Sequence, residues 1–460
     1  MSSATHRSAE QIGRTEQGPR AVPPLGEQRS AADLSHVDTV LANGLRVLAV
    51  RKANVPLAEL RLWVPFAGTS ALHSATAEVL AETLLSGTSR RDRIEIDTEL
   101  ALIGGDLGTV VDPERLAVHG SSLSSGLPTL LDVLADSLTS ASYLDTEVAR
   151  EAERLVERLA VARTQPRTIA REALQRHRYG DHPVTHEVPQ ADDVAEVTPE
   201  HVRQLHAASL LPRGSVLVVV GDVDPDGVVA DVEKALQGWV SDRSATALPE
   251  LPVLTGGDLL LVPRAGGVQS QIRLSAQTVP RTDPRYAAVQ LANLAYGGYF
   301  SSRLVENIRE DKGYTYSAHS GFEFTGQTAV VNVDADTAND VSAAAVLETR
   351  YELGRLGLVP PTGEELESVR QYAIGSLVTS TSSLAGLSGQ LTALSSSGLG
   401  IEWLAEHPAR LAAVTAEEVA AAALEFFAPK NFTGVVVGDA EKLGPQLTAL
   451  GGVSVGEPGA

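Results

Sequence analysis

The chain reads Thr198-Pro-Glu-His-Val202, then Pro212, then Val218-Val-Val-Gly-Asp222. Offset by 217 residues it reads Thr415-Ala-Glu-Glu-Val419, then Pro429, then Val435-Val-Val-Gly-Asp439. Each copy has the pattern of a capped helix, a proline break and a continuous apolar strand. Thr415 and Glu418 have the spacing of a capping box, in which two side chains satisfy free N–H groups at a helix start. A hydrophobic strand also opens each half, Leu45–Val50 and then Leu259–Val262. The repeat predicts an α+β fold built as a tandem of two homologous α/β sandwich domains. With 460 residues, 43% of them apolar, the chain is too long for one ordinary core and has ample material for two.

Working outward, residues 1–36 are polar, carry Pro19, Pro23 and Pro24, and predict a disordered extension. The first domain then covers 37–242, with order starting at the Asn43-Gly44 turn. A Pro/Ser/Thr-rich linker covers 243–256, the second domain 257–450, and a tail 451–460. In the first domain a helix is expected over about Ala75–Leu85, ended by Gly87-Thr88, and a second over Ile94–Leu102. A strand pair follows Gly104-Gly105, then helices from Leu127 to Ser140 and from Thr146 to about Arg163, the latter ended by Pro166. In Thr379–Gly400, Leu384, Leu387, Leu391 and Leu394 recur at helical spacing. That pattern reads as a core-facing helix or as a glycine-loosened surface that touches substrate.

The formal charge of −21 disfavours nucleic acid and anionic membranes as partners. The absence of cysteine removes disulfides and thiolate ligands and fits a reducing compartment. No apolar run is long enough to span a bilayer, and the first residues carry His6, Arg7, Glu10 and Arg14 without a hydrophobic stretch. A cytoplasmic protein is expected.

The chemistry concentrates in Gly297-Gly-Tyr-Phe-Ser-Ser-Arg-Leu-Val-Glu-Asn-Ile-Arg-Glu-Asp-Lys-Gly-Tyr-Thr-Tyr-Ser317. It reads as a glycine break, a helix capped by Ser301 or Ser302, a turn at Lys312-Gly313 and a strand running to Phe324. Arg309 falls in the last helical turn and Tyr316 just inside the strand. Taken singly, Arg309 also reads as a surface arginine paired with Glu310 or Asp311. The whole block resembles the C-terminal-half motif of the pitrilysin family, the inverted-motif zinc peptidases that include insulysin and the mitochondrial processing peptidase. The resemblance extends over roughly residues 37–450, tandem plan included, and implies the half-clamshell fold of that family. It implies that Arg309 and Tyr316 grip the substrate carbonyl opposite a zinc site, a planar cation and a hydroxyl being suited to a developing oxyanion.

Catalytic members carry His-x-x-Glu-His on a first-domain helix just before a Gly-Thr, with a distant glutamate as third ligand. Aligned by Gly87-Thr88, this chain has Glu78 and Glu82 at the histidine positions and Ala81 at the general-base position. The third-ligand position, aligned through Ala162-Arg-Thr164, is Arg158. Two carboxylates are too few for an oxygen-only site, and a cation at the third position opposes a divalent metal. Paired surface carboxylates, or an ion pair with Arg158, is the simpler reading. His73 lies out of register. His177, His182 and His186 have no helical ligand spacing, and Arg178-Tyr-Gly-Asp-His-Pro183 matches a structural loop of the catalytic relatives.

The resemblance therefore implies a non-catalytic subunit of a heterodimeric, insulinase-like zinc metallopeptidase, inactive alone and holding no metal. Its partner would be a homologous catalytic chain with an intact His-x-x-Glu-His and zinc, and its substrate a peptide. The alternatives are a structural or assembly protein on the same fold, for which Arg309 and Tyr316 are superfluous, and a peptide-binding module that does not cleave.

Overall fold

The computed structural model describes residues 34–326 and 328–456; the extension expected over residues 1–36 lies outside the described residues up to residue 33. Twelve strands among the described residues form two six-stranded sheets. The first half supplies β1 (His36–Val40), β2 (Arg46–Arg51), β3 (Leu57–Pro65), β4 (Asp106–Val111), β5 (Arg115–Leu123) and β6 (Val216–Gly221), in the order β1-β2-β6-β3-β5-β4. The second supplies β7 (Leu259–Pro263), β8 (Gln269–Thr278), β9 (Thr315–Thr325), β10 (Thr328–Ala338), β11 (Thr433–Gly438) and β12 (Val453–Val455), in the order β12-β7-β11-β8-β10-β9. Five positions correspond across the halves. In each, the central parallel pair, β2 with β6 and β7 with β11, sits beside an antiparallel set. The two Val-Val-Val-Gly runs are the same strand of the two sheets, β6 and β11.

The outer strands differ. β1 pairs antiparallel with β2, whereas β12, in the segment expected to be a tail, pairs parallel with β7. Order thus begins before the expected Asn43-Gly44 turn. The short stretch that forms β1 has a polar alternation, and its hold on the sheet includes a cross-strand ion pair, Arg46 donating to both oxygens of Asp38 at 2.9 and 2.7 Å.

Five of the helices bear on the site and on how the halves meet: α1 (Ala71–Thr83), α2 (Asp145–Ala162), α3 (Pro166–Tyr179), α4 (Gly363–Ser380) and α5 (Leu384–Ser395). Helix α1 starts four residues before the expected position because the Ser70 hydroxyl accepts from His73 N–H at 3.1 Å and caps it. The repeated helix starts behave as expected: Thr198 caps Pro199–Ser209, and Thr415 with Glu418 forms a capping box. Pro166 does not merely end α2; it occupies the first turn of α3, where its missing N–H costs nothing. The segment Arg178–Pro183 is therefore not wholly loop. Arg178 and Tyr179 close α3, and Gly180 takes the positive φ of +57° that ends it.

β6 is buried along its whole length, which requires cover on both faces. Leu217 and Val219 join the first half's own core. Val216, Val218 and Val220 point the other way and, with Leu48 and Val50, pack against Leu384, Leu387, Leu391 and Leu394 of α5, from the second half. The second sheet mirrors this. Val436 joins its own core, while Val435, Val437 and Val262 receive Ala170, Ala173 and Leu174 of α3, from the first half. Each half thus lends a helix to cover the other's sheet. Thr379–Gly400 accordingly contains a core-facing helix, whose core belongs to the opposite half.

Polar contacts lock the exchange. The Arg178 side chain is 1% exposed and donates to Glu323 at 2.9 and 3.2 Å, to Ser275 Oγ at 3.2 Å and to Asn332 Oδ1 at 3.3 Å, so one α3 residue ties three strands of the second sheet. In the opposite direction Lys52 Nζ donates to the carbonyl of Thr381 at 2.7 Å.

Because each half completes the other, the two should unfold together. Single-tryptophan variants keeping only Trp239, buried in the first half, or only Trp403, in the second, are expected to report one coincident denaturation transition. Leu391→Ala should shift both by the same amount, costing about 2–5 kcal/mol. Two separate transitions would refute the mutual cover.

Candidate functional site

The positions aligned with the zinc motif lie on α1 and α2. Ala81 is buried, and its carbonyl accepts the Thr109 hydroxyl at 2.5 Å, which holds α1 to the edge strand β4. Glu82 is exposed and pairs with Arg158 at 3.1 Å, both side chains being 47% exposed. Glu78 is partly buried, and burial pushes its carboxyl up to about 7 against the opposing pull of Arg158, with Glu82 and Glu187 raising it further. The donor set does not fit zinc. At the aligned positions two carboxylates are present, one is engaged by a guanidinium, and the other holds its proton more tightly than an ordinary carboxylate, whereas a zinc ligand must be deprotonated. Among the described residues no three His, Asp or Glu side chains gather in a way that could hold a metal ion.

The histidines join no group that could hold a metal ion among the described residues. His73 Nε2 bonds to the carbonyl of Phe66 at 2.9 Å, and burial lowers its basicity. His177 Nε2 lies 2.8 Å from Thr433 Oγ1, part of the exchanged-helix contact. His182 accepts from Val184 N–H through Nδ1 and donates from Nε2 to the carbonyl of Pro249. His186 and His73 line one recess of about 10 Å³ with Glu78, Glu187 and Asp112.

Arg309 and Tyr316 are brought together. The block from Gly297 does not form one regular α-helix: Leu294–Gly298 and Glu306–Asp311 are π-helical, with the short α-turn Arg303–Val305 between them. Ser302 has the backbone of a cap, yet its side chain makes no capping bond, and Ser301 does not cap either. The turn is held by other means. Arg303 is buried and forks onto Glu365 at 2.7 and 2.8 Å; Asn307 donates to Glu352 at 2.7 Å and to Glu348 at 3.0 Å. Gly313, at φ +63°, then reverses the chain into β9.

The ladder between β9 and β10 is broken there. Ala318 faces Ala335 and Thr315 faces Thr337, so Tyr316 and Ser317 together stand opposite Asp336. This bulge turns Tyr316 out, leaving it 88% exposed. Arg309 Cζ sits 5.5 Å from the centroid of the Tyr316 ring, within cation–π reach. The alternative reading of Arg309 also holds in part, since it donates to Glu310 at 2.6 Å.

Between the halves lies a cleft of about 560 Å³. Its first-half wall includes Asp112, Arg171 and Glu187, two of which also border the recess beside Glu78; its second-half wall includes Arg273, Glu323 and Ser317, the neighbour of Tyr316. Among the described residues no helix is long and apolar enough to cross a membrane.

Sequence reasoning missed Arg178 and Arg303 as structural clamps, because a buried arginine has no local signature; its partners lie far along the chain.

Comparison with known proteins agrees with this architecture. Residues 46–192 match the family described as insulinase (peptidase family M16), and residues 196–372 match the peptidase M16 inactive domain. An uncharacterized zinc protease of Streptomyces coelicolor is 27% identical over 292 residues, which is 61% of this chain and 63% of that protein's own length. A peptidase M16 inactive domain from Pseudomonas fluorescens superposes with a TM-score of 0.80 at 22% identity, covering 88% of this chain and 98% of that one. A protease from Helicobacter pylori gives 0.81 at 17% identity, covering 88% and 99%. Matched in sequence along both halves and in shape across the tandem of sheets, the chain belongs to peptidase family M16, the pitrilysin or insulinase family.

Proposed function

We propose that this chain is the non-catalytic subunit of a two-chain M16 metallopeptidase, with Arg309 and Tyr316 gripping the scissile carbonyl of a peptide bound at the zinc site of a homologous partner. The observation that carries this reading is the contrast between the two sites. The metal positions are filled by a surface ion pair and a protonatable glutamate, while Arg309 and Tyr316 are brought together with the Tyr316 ring turned to solvent. The role of this chain is to offer donors to the oxygen on which charge develops as the peptide bond is attacked. Metal, water and general base are assigned to the partner, and the cysteine-free composition accords with a reducing, cytoplasmic compartment. A scaffolding role is the second reading, favoured by the hydrogen bond that already engages Arg309 with Glu310.

Metal analysis of the dialysed chain is expected to find no stoichiometric zinc, and one tightly held zinc per chain would overturn the assignment. Restoring His at 78 and 82 and Glu at 81 should not create a peptidase, since Arg158 still occupies the third-ligand position.

Mixed with a catalytic chain bearing His-x-x-Glu-His, the protein should form a one-to-one complex by native mass, through an interface of roughly 2,000 Å² or more. In that complex Tyr316→Phe is expected to lower kcat by on the order of 10²–10³. Arg309→Lys should also be impaired, while Tyr314→Phe, whose ring packs against the second core, should be nearly silent. Wild-type cleavage by both Tyr316→Phe and Arg309→Lys would leave scaffolding as the answer.

A further inference from the structure

Phe300 is a large apolar side chain left 64% exposed beside the Arg–Tyr pair. The backbone at Tyr299 is extended, with φ −150° and ψ 173°, so consecutive side chains leave it on opposite sides. Tyr299 packs against the second core and places its ring 4.9 Å from that of Tyr372 on α4. Phe300 turns the other way, and its ring centroid lies 4.6 Å from Arg309 Cζ, nearer than the Tyr316 ring.

The loop that presents Phe300 and the strand that presents Tyr316 share one frame. Ser320 of β9 donates to Asn293 Oδ1 at 2.7 Å, and a Cβ on Gly297 would come within 2.9 Å of Ser320 Oγ, so only glycine allows so close an approach. The hydrogen bond to Glu310 does not fix the guanidinium plane by itself. Glu310 is the adjacent residue, and its side chain is half exposed, so water competes for the contact.

We infer that Phe300 is a positioning residue: its ring holds the Arg309 guanidinium in the plane from which the donors of Arg309 and the hydroxyl of Tyr316 reach one oxygen. This rests on the reading of Arg309 and Tyr316 as carbonyl-binding groups. Phe300 acts through Arg309, whose guanidinium lies over its ring.

The test uses the full chain in complex with its catalytic partner, and as probe one member of a fluorescence-quenched random peptide library that the wild-type complex cleaves. Phe300→Leu keeps apolar bulk and removes the ring; Phe300→Tyr keeps the ring. Phe300→Leu is expected to lower kcat about tenfold, a fraction of the on the order of 10²-fold that about 1 Å of misplacement can cost, with KM, melting temperature and complex mass unchanged. Phe300→Tyr should restore the rate. In an Arg309→Ala background, Phe300→Leu should have no further effect. In the isolated chain, the Arg309 Nε–H resonance should shift on Phe300→Leu and stay in place on Phe300→Tyr. Unchanged kcat in Phe300→Leu, failure of tyrosine to rescue, or the same loss with Arg309 absent would each overturn the positioning role alone. Wild-type cleavage by Arg309→Ala would remove the carbonyl-binding reading itself, and this one with it.

Discussion

The fold depends on two central strands that are buried on both faces. β6 and β11 are buried at every position, so each sheet needs cover on both sides, and each half takes part of that cover from the other. The solution is reciprocal: α5 closes the first sheet and α3 the second. A fully buried leucine contributes about 1.5–3 kcal/mol. The four leucines of α5 therefore supply an amount comparable with the net stability of a whole domain, roughly 5–15 kcal/mol. The cleft between the halves inherits its shape from this exchange, because α3 forms part of its wall and spends its last arginine on the opposite sheet.

The tandem plan was legible because a repeat of strand grammar survives in the residues themselves. Val218–Asp222 and Val435–Asp439 announce a strand covered on both faces, and the capping residues at Thr198 and Thr415 mark the helices that precede them. What covered those strands was not legible. The leucine spacing of α5 states that one face is buried and is silent about the partner. α3 was hidden for a different reason: Pro166 marks the end of one helix and the start of the next equally well. Strand β1 was missed because its alternation is short and polar, and a cross-strand ion pair to Arg46 helps to hold it. At the candidate site, the seven-residue interval between Arg309 and Tyr316 was readable, since a helix end, a glycine turn and a strand start return the chain on itself. The π-helical turns and the bulge that aim the two side chains depend on contacts of Arg303, Asn307 and Thr315, whose hydroxyl donates to the carbonyl of Asp336 at 2.7 Å, and the sequence does not spell those out.

The carboxylates of α1 pose an electrostatic problem that the chain solves locally. Glu78 has Glu82 and Glu187 as neighbours, each disfavouring its charge. Arg158 neutralises the exposed member, and the buried one moves towards its protonated form. A carboxyl raised in the folded state binds its proton more tightly there than in the unfolded chain. Its contribution to stability is therefore full below the ordinary carboxylate range and is lost as pH climbs through about 7.

The bulge at Tyr316 has a second effect, unrelated to chemistry. β9 is an eleven-residue strand at the edge of its sheet, and a long straight edge invites pairing by foreign strands. Placing two residues opposite one takes the start of that edge out of register with any incoming ladder, and the protruding ring blocks a flat approach. The feature that offers Tyr316 to solvent thus also protects the protein from self-assembly through its own exposed backbone.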